Sequence, residues 1–167
     1  MTVRTDRLEL SRTFPFGQEL LWSAWTTEEG LAKWWWNTWP DTRYFVDGHI
    51  GGRYRIEATD KGIAVHGEYL RWDPCELLEF SWIWADNGHE EPEERVRVTF
   101  APDEDGTRVT VLHTGPWTTP EPAENYRQGW SFVLDALADL STLTSARVRS
   151  VSMSTTSPDG VRSADKN

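Results

Sequence analysis

Six strand-like segments in close succession, followed by one amphipathic helix, constrain the fold more than any other feature of this chain. The segments TRYFV, GRYRIEA, IAVHGEYLRW, ELLEFSWIW, ERVRVTF and TRVTVLH span residues 42–113. Their separators, DGHIGG, TDKG, DPC, ADNGHEEPE and PDEDG, are rich in Gly, Asp, Asn and Pro, the residues that hairpin turns demand. Connections this short join antiparallel neighbours, because a parallel pair needs a crossover of a dozen or more residues. The segments therefore read as an antiparallel meander with no βαβ unit.

The helix follows. Tyr126, Trp130, Val133, Leu137 and Leu140 recur at three or four residues and form one apolar stripe, with Pro120 and Pro122 at the start where proline is tolerated. From about Thr144 the chain is polar and rich in Ser and Thr, so 144–167 is expected to be a mobile tail dispensable for a domain over 1–143. Upstream of the meander, RLELSRTF alternates and places Leu8, Leu10 and Phe14 on one face of a strand, with Arg12 at an edge or paired inside. QELLWSAW and TEEGLAKWWW then read as two short helices, the second capped by Thr27 or its neighbour.

This order implies an α+β helix-grip fold: a curved antiparallel β-sheet wrapped around a long C-terminal α-helix, with two short helices after the first strand. A sheet bent around a helix is hard to fill near its mouth, so a cavity is expected there. The 167 residues suit one domain. A net charge of −10 argues against nucleic acid and anionic membranes as partners, since both attract clustered Lys and Arg. The lone Cys75 can form no internal disulfide, and no run approaches the roughly 20 apolar residues of a spanning helix, so a cytoplasmic location is expected.

Five stretches, RTFPFGQELLWSAWT, GLAKWWW, GGRYRIE, VHGEYLRWDP and TRVTVLHTG, followed by YRQGW at the head of the last helix, carry a resemblance. They are similar to the bacterial proteins grouped as heat shock protein 90 ATPase activator-like, within the START and birch-pollen-allergen superfamily of helix-grip domains. That resemblance implies a hydrophobic-ligand cavity between the sheet and the long helix. The functions it implies are diverse: carriage of lipids or hormones, cyclisation or dehydration of polyketides, sequestration of toxic metabolites, or stimulation of a chaperone ATPase. Fold alone does not choose among them.

The residues themselves point to aromatic walls. KWWWNTW, residues 33–39, holds four of the eleven tryptophans. On a helix turning about 100° per residue, Trp34 and Trp35 flank Leu31 while Trp36 points roughly 140° away. Trp34 and Trp35 are therefore expected to seat the second helix on the sheet. Trp36 and Trp39 lie either at a cavity rim or in surface packing. Where the resembled family has two aromatics and then a small residue, Trp36 departs.

Strand alternation puts Tyr54 and Ile56 on one face, Leu78, Phe80, Trp82 and Trp84 on another inward row, and Val109, Val111 and His113 on a third. Tyr126 and Trp130 reach the same space from the helix. The expected ligand-binding set is Tyr54, Trp82, Trp84, His113, Tyr126 and Trp130 as lining, with Trp36, Trp39 and Trp117 near the mouth. The large rings either line the cavity or plug it.

His113 either hydrogen-bonds inside or, with Tyr54, moves a proton in an enzyme of the cyclase, dehydratase or lyase type. His66 either pairs with Glu68 or points outward. GHIGG lacks the dinucleotide spacing, no nucleophile elbow, Walker or zinc-protease motif occurs, and the acidic loop NGHEEPEE reads as solvated, so no cofactor and no metal site is expected. The leading reading is a binder of a small hydrophobic, aromatic molecule. A cavity enzyme and a chaperone-regulating module are the alternatives, and a homodimer is left open.

Overall fold

The computed structural model describes residues 6–154. Strand β1 (Arg7–Phe14) leads into α1 (Gln18–Thr26) and α2 (Glu28–Leu31). The meander follows as β2 (Thr42–Val46), β3 (Arg53–Ala58), β4 (Ile63–Asp73), β5 (Leu77–Asp86), the two-residue β6 (His89–Glu90), β7 (Glu94–Asp103) and β8 (Gly106–Thr114), and α3 (Glu121–Ser154) closes the order. All pairings are antiparallel, in the spatial order β1-β8-β7-β5-β4-β3-β2, with β6 on β5. This is the α+β helix-grip architecture: the sheet curves around α3, whose Trp130, Val133, Leu134 and Leu137 are buried.

The inner face follows from alternation. Val96, Val98 and Phe100 of β7 and Val109 and Val111 of β8 are buried, while the residues between them are exposed or half-exposed. Arg12 resolves at an edge, where its guanidinium donates to Asp135 at 2.6 Å and ties β1 to α3. Thr27 caps α2, accepting the Gly30 N–H at 2.9 Å. His66 bonds neither to Glu68 nor to solvent alone: its Nε2 lies 2.8 Å from Glu90 on β6.

Two elements end elsewhere than the pattern predicts. The second helix, read through Trp36, stops at Leu31. Beyond it the chain turns, and Trp36 sits in the left-handed region at φ 54°. Side-chain hydroxyls hold carbonyls of this irregular stretch, the Tyr44 hydroxyl donating to Trp35 O at 2.6 Å and the Thr42 hydroxyl to Trp39 O at 2.9 Å. The three consecutive indoles consequently diverge instead of following a helical wheel, and all are buried: Trp34 is 0 %, Trp35 4 % and Trp36 6 % exposed. At the other end, α3 runs past residue 143 to Ser154, because no Gly or Pro interrupts 131–157. Residues 155–167 of the expected tail lie outside the described residues.

Gly67 is needed for a close approach. It faces Tyr54 across β3 and β4, and a Cβ there would lie 2.0 Å from the carbonyl oxygen of Ser81. The same oxygen accepts the Tyr54 hydroxyl at 2.8 Å, and Ser81 Oγ accepts the Glu68 N–H at 2.9 Å. Gly67→Ala must push β4 from β5 and is expected to destabilise by about 1–3 kcal/mol. A lower urea midpoint with unchanged slope would register it.

Candidate ligand cavity

A cavity of about 590 Å³ opens where the second half of β5, the chain entering β7, the β8–α3 connection and the first turns of α3 converge. Strand period places Trp82 and Trp84 on one face of β5. Helix period brings Tyr126 and Trp130, four residues apart, to the same side of α3. The irregular turn after α2 adds Trp35 and Trp36, and the β8–α3 connection adds Trp117. Gly129 leaves a gap in the helical wall, since a Cβ there would meet nothing within 4 Å.

The rings brace one another. Trp35 lies 6.0 Å from Trp82 and 5.3 Å from Trp130, and Trp117 stacks on Tyr126 at 5.7 Å. Such contacts add about 0.5–1.5 kcal/mol each beyond area burial, and they hold the walls in fixed orientation.

A polar chain links three residues of the wall, Glu94, Trp117 and Trp130, through His113 behind it. The Trp130 indole N–H donates to His113 Nδ1 at 3.0 Å, His113 Nε2–H donates to Glu94 Oε1 at 2.8 Å, and the Trp117 indole N–H donates to Glu94 Oε2 at 2.8 Å. The Trp130 donor requires a lone pair on Nδ1, so the geometry assigns the proton of a neutral imidazole to Nε2. Burial lowers the His113 pKa from 6.5, outweighing the hydrogen bond and charge of Glu94, which act to raise it. Burial and the Glu94 charge both raise the Tyr126 phenol well above its usual range.

Of the residues expected from the sequence, Trp36, Trp82, Trp84, Trp117, Tyr126 and Trp130 are brought together on this cavity. His113, Tyr54 and Trp39 are not. His113 is 0 % exposed and lies behind Trp82, Tyr126 and Trp130. Tyr54 borders a separate void of about 20 Å³, with its hydroxyl held by Ser81. Trp39 covers Trp36 from outside, stacked on Phe132 at 6.0 Å and beneath the Lys61 ammonium at 5.3 Å. As placed, the His113 and Tyr54 pair does not meet the open volume, which corrects the expectation that both line it.

Glu94 and Gly129 were not singled out from the sequence, and Trp35, expected to seat the second helix on the sheet, also lines the cavity. For Glu94 a signal existed: it shares parity with Val96, Val98 and Phe100, and stands opposite Trp82 on β5. A carboxylate on an apolar face is the pattern to look for.

A bent antiparallel sheet gripping one helix, with an aromatic cavity at the helix start, defines a helix-grip domain of the ligand-cavity class. The chain belongs to the activator of Hsp90 ATPase homolog 1-like protein family, whose model matches residues 16–142. Among solved structures, protein CV1439 of Chromobacterium violaceum is similar at 26% identity, over 81% of this chain and 96% of that one, with a TM-score of 0.66. CalU16 of Micromonospora echinospora is similar at 20% identity, over 85% and 80% of the two chains, with a TM-score of 0.64. DynU16, a protein of the dynemicin biosynthetic locus, is similar at 20% identity, over 81% of this chain and 47% of that one, with a TM-score of 0.68. The last two show the fold alone. No curated protein matches the sequence. Among the described residues, no helix is long and apolar enough to cross a membrane.

Proposed function

We propose that this protein binds a small aromatic molecule in the cavity between β5 and the start of α3. The observation that carries the reading is the wall itself: seven large rings surround about 590 Å³ of open volume instead of collapsing into it. Ligand sites are concave, mostly apolar and about 300–1,000 Å³, with few polar groups, and this cavity has that character. Membership of a cavity-bearing family supports it, as does the likeness to a protein of a biosynthetic locus for a small molecule.

Native mass spectrometry of protein purified from its source cells, with intrinsic fluorescence titration against naphthalene and indole probes, tests the reading. A bound small molecule, or quenching that saturates, is expected. No adduct and no saturable quenching would overturn it. Gly129→Leu fills the gap in the helical wall and is expected to abolish probe binding without lowering the melting temperature, because leucine also suits a helix better than glycine by up to about 1 kcal/mol.

The family description supplies a second reading, regulation of a heat shock protein 90 ATPase by surface contact. The exposed apolar residues Leu20, Phe45, Ile50 and Phe132 sit on α1, β2, the β2–β3 connection and α3. A purified bacterial homologue of that chaperone, assayed for ATPase rate with and without this protein, would show a change if the reading holds.

A further inference from the structure

We propose that the occupant of the cavity is a hydrophobic cation, a protonated amine or quaternary ammonium carried on an aromatic body. This deepens the ligand-cavity reading and rests on it. The Glu94 carboxylate lines the cavity with only 7% of its side chain exposed. Its donors, His113 Nε2–H and the Trp117 indole N–H, are neutral, as is the Tyr126 phenol hydrogen-bonded to it. His113 does not serve as a counter-ion, because the Trp130 N–H occupies the Nδ1 lone pair that a second proton would need. A buried carboxylate hydrogen-bonded only to neutral groups is stabilised further by a cation beside it.

The rest of the wall has the same sign. Glu91 and Glu121 stand with Glu94 around the cavity, and no Lys, Arg or His is among the described residues that line it. Trp82, Trp84, Trp117 and Tyr126 line the cavity, and the faces of such rings carry the negative side of the ring quadrupole, which attracts ammonium groups and is the basis of aromatic cages for quaternary amines. A neutral ligand uses only the apolar area of such a site, and an anion is repelled.

The test is calorimetric titration of the wild-type protein with three probes built on one naphthalen-2-ylmethyl body: (naphthalen-2-ylmethyl)trimethylammonium, its neutral carbon isostere 2-neopentylnaphthalene, and naphthalen-2-ylmethanesulfonate. The cation is expected to bind at least about tenfold more tightly than the isostere, and the sulfonate more weakly than either. Glu94→Gln is expected to bring cation and isostere within about threefold of each other. Equal binding of cation and isostere by the wild type would overturn the charge preference and leave the cavity reading standing. Binding of no probe would overturn both. Repetition at about 0.5 M salt, where the Debye length is only a few ångströms, separates the site from the acidic surface. A preference that persists supports contact with the buried carboxylate, and one that vanishes overturns it, even if Glu94→Gln does not fold.

Discussion

Trp34→Ala is expected to lower the unfolding free energy by about 3–5 kcal/mol, which in a domain of ordinary stability, about 5–15 kcal/mol, is a large fraction of the whole. Trp34 has no exposed surface, and its ring packs on Trp25 at 4.7 Å and on Trp35 at 5.3 Å. Its indole N–H donates to the Ala24 carbonyl at 2.9 Å, so the side chain joins the turn after α2 to α1. Alanine would leave a cavity among rings that cannot relax independently, because Trp25 also stacks on Trp130 at 5.9 Å and Trp35 also packs on Trp82. Urea denaturation of the two proteins measures the difference. Trp34→Phe keeps a ring but strands the Ala24 carbonyl, and should cost about 1–3 kcal/mol. A loss under 1 kcal/mol in the alanine variant would show that the turn is held by its backbone hydrogen bonds instead.

The second large effect concerns His113. His113→Leu keeps the volume but removes the donor to Glu94 and the acceptor of Trp130, and is expected to cost about 2–5 kcal/mol. The wild type should also lose stability in acid through this group. Its folded pKa is lowered from 6.5, so below that value the unfolded chain binds more protons than the folded one. The stability due to neutral His113 is complete above about pH 6.5 and is lost as the pH falls toward the lowered folded value. Glu94 and Tyr126 are the titratable groups against it. Glutamine at position 113 can donate to Glu94 and accept from Trp130 without titrating. Melting temperatures from pH 7.5 to 5 should therefore fall less steeply in His113→Gln than in the wild type. Parallel slopes would place the acid sensitivity in other groups.

Much of the architecture was readable because it rests on local period. The seven main strands, the Thr27 cap and the buried stripe of α3 follow from alternation, capping chemistry and three-or-four spacing, all properties of neighbours in sequence. The aromatic wall was largely readable for the same reason: Trp82 with Trp84, and Tyr126 with Trp130, share faces by period alone.

What failed was non-local. KWWWNTW has no local signal for a turn at Trp36, where a bulky residue adopts a positive φ. Burial of three indoles in three directions, against α1, against β5 with α3, and under Trp39, stabilises a backbone that a helical wheel cannot represent. The placement of Tyr54 was undone by curvature, which separates β3 from the cavity although both lie on the inner face.

By itself, then, the sequence determined that this is an α+β helix-grip domain and which side chains face inward, because strand and helix periods are set by backbone geometry. The tertiary structure alone decided that Trp36 is buried while still bordering the open volume, that Trp39 covers it, and that His113 is a bonded wall support behind Trp130. It also decided that Glu94 is the buried charge of the site. That last fact depends on β5, β7, β8 and the β8–α3 connection meeting at one point, which brings Trp82, His113 and Trp117 around a single carboxylate. No periodicity within one segment encodes such a meeting.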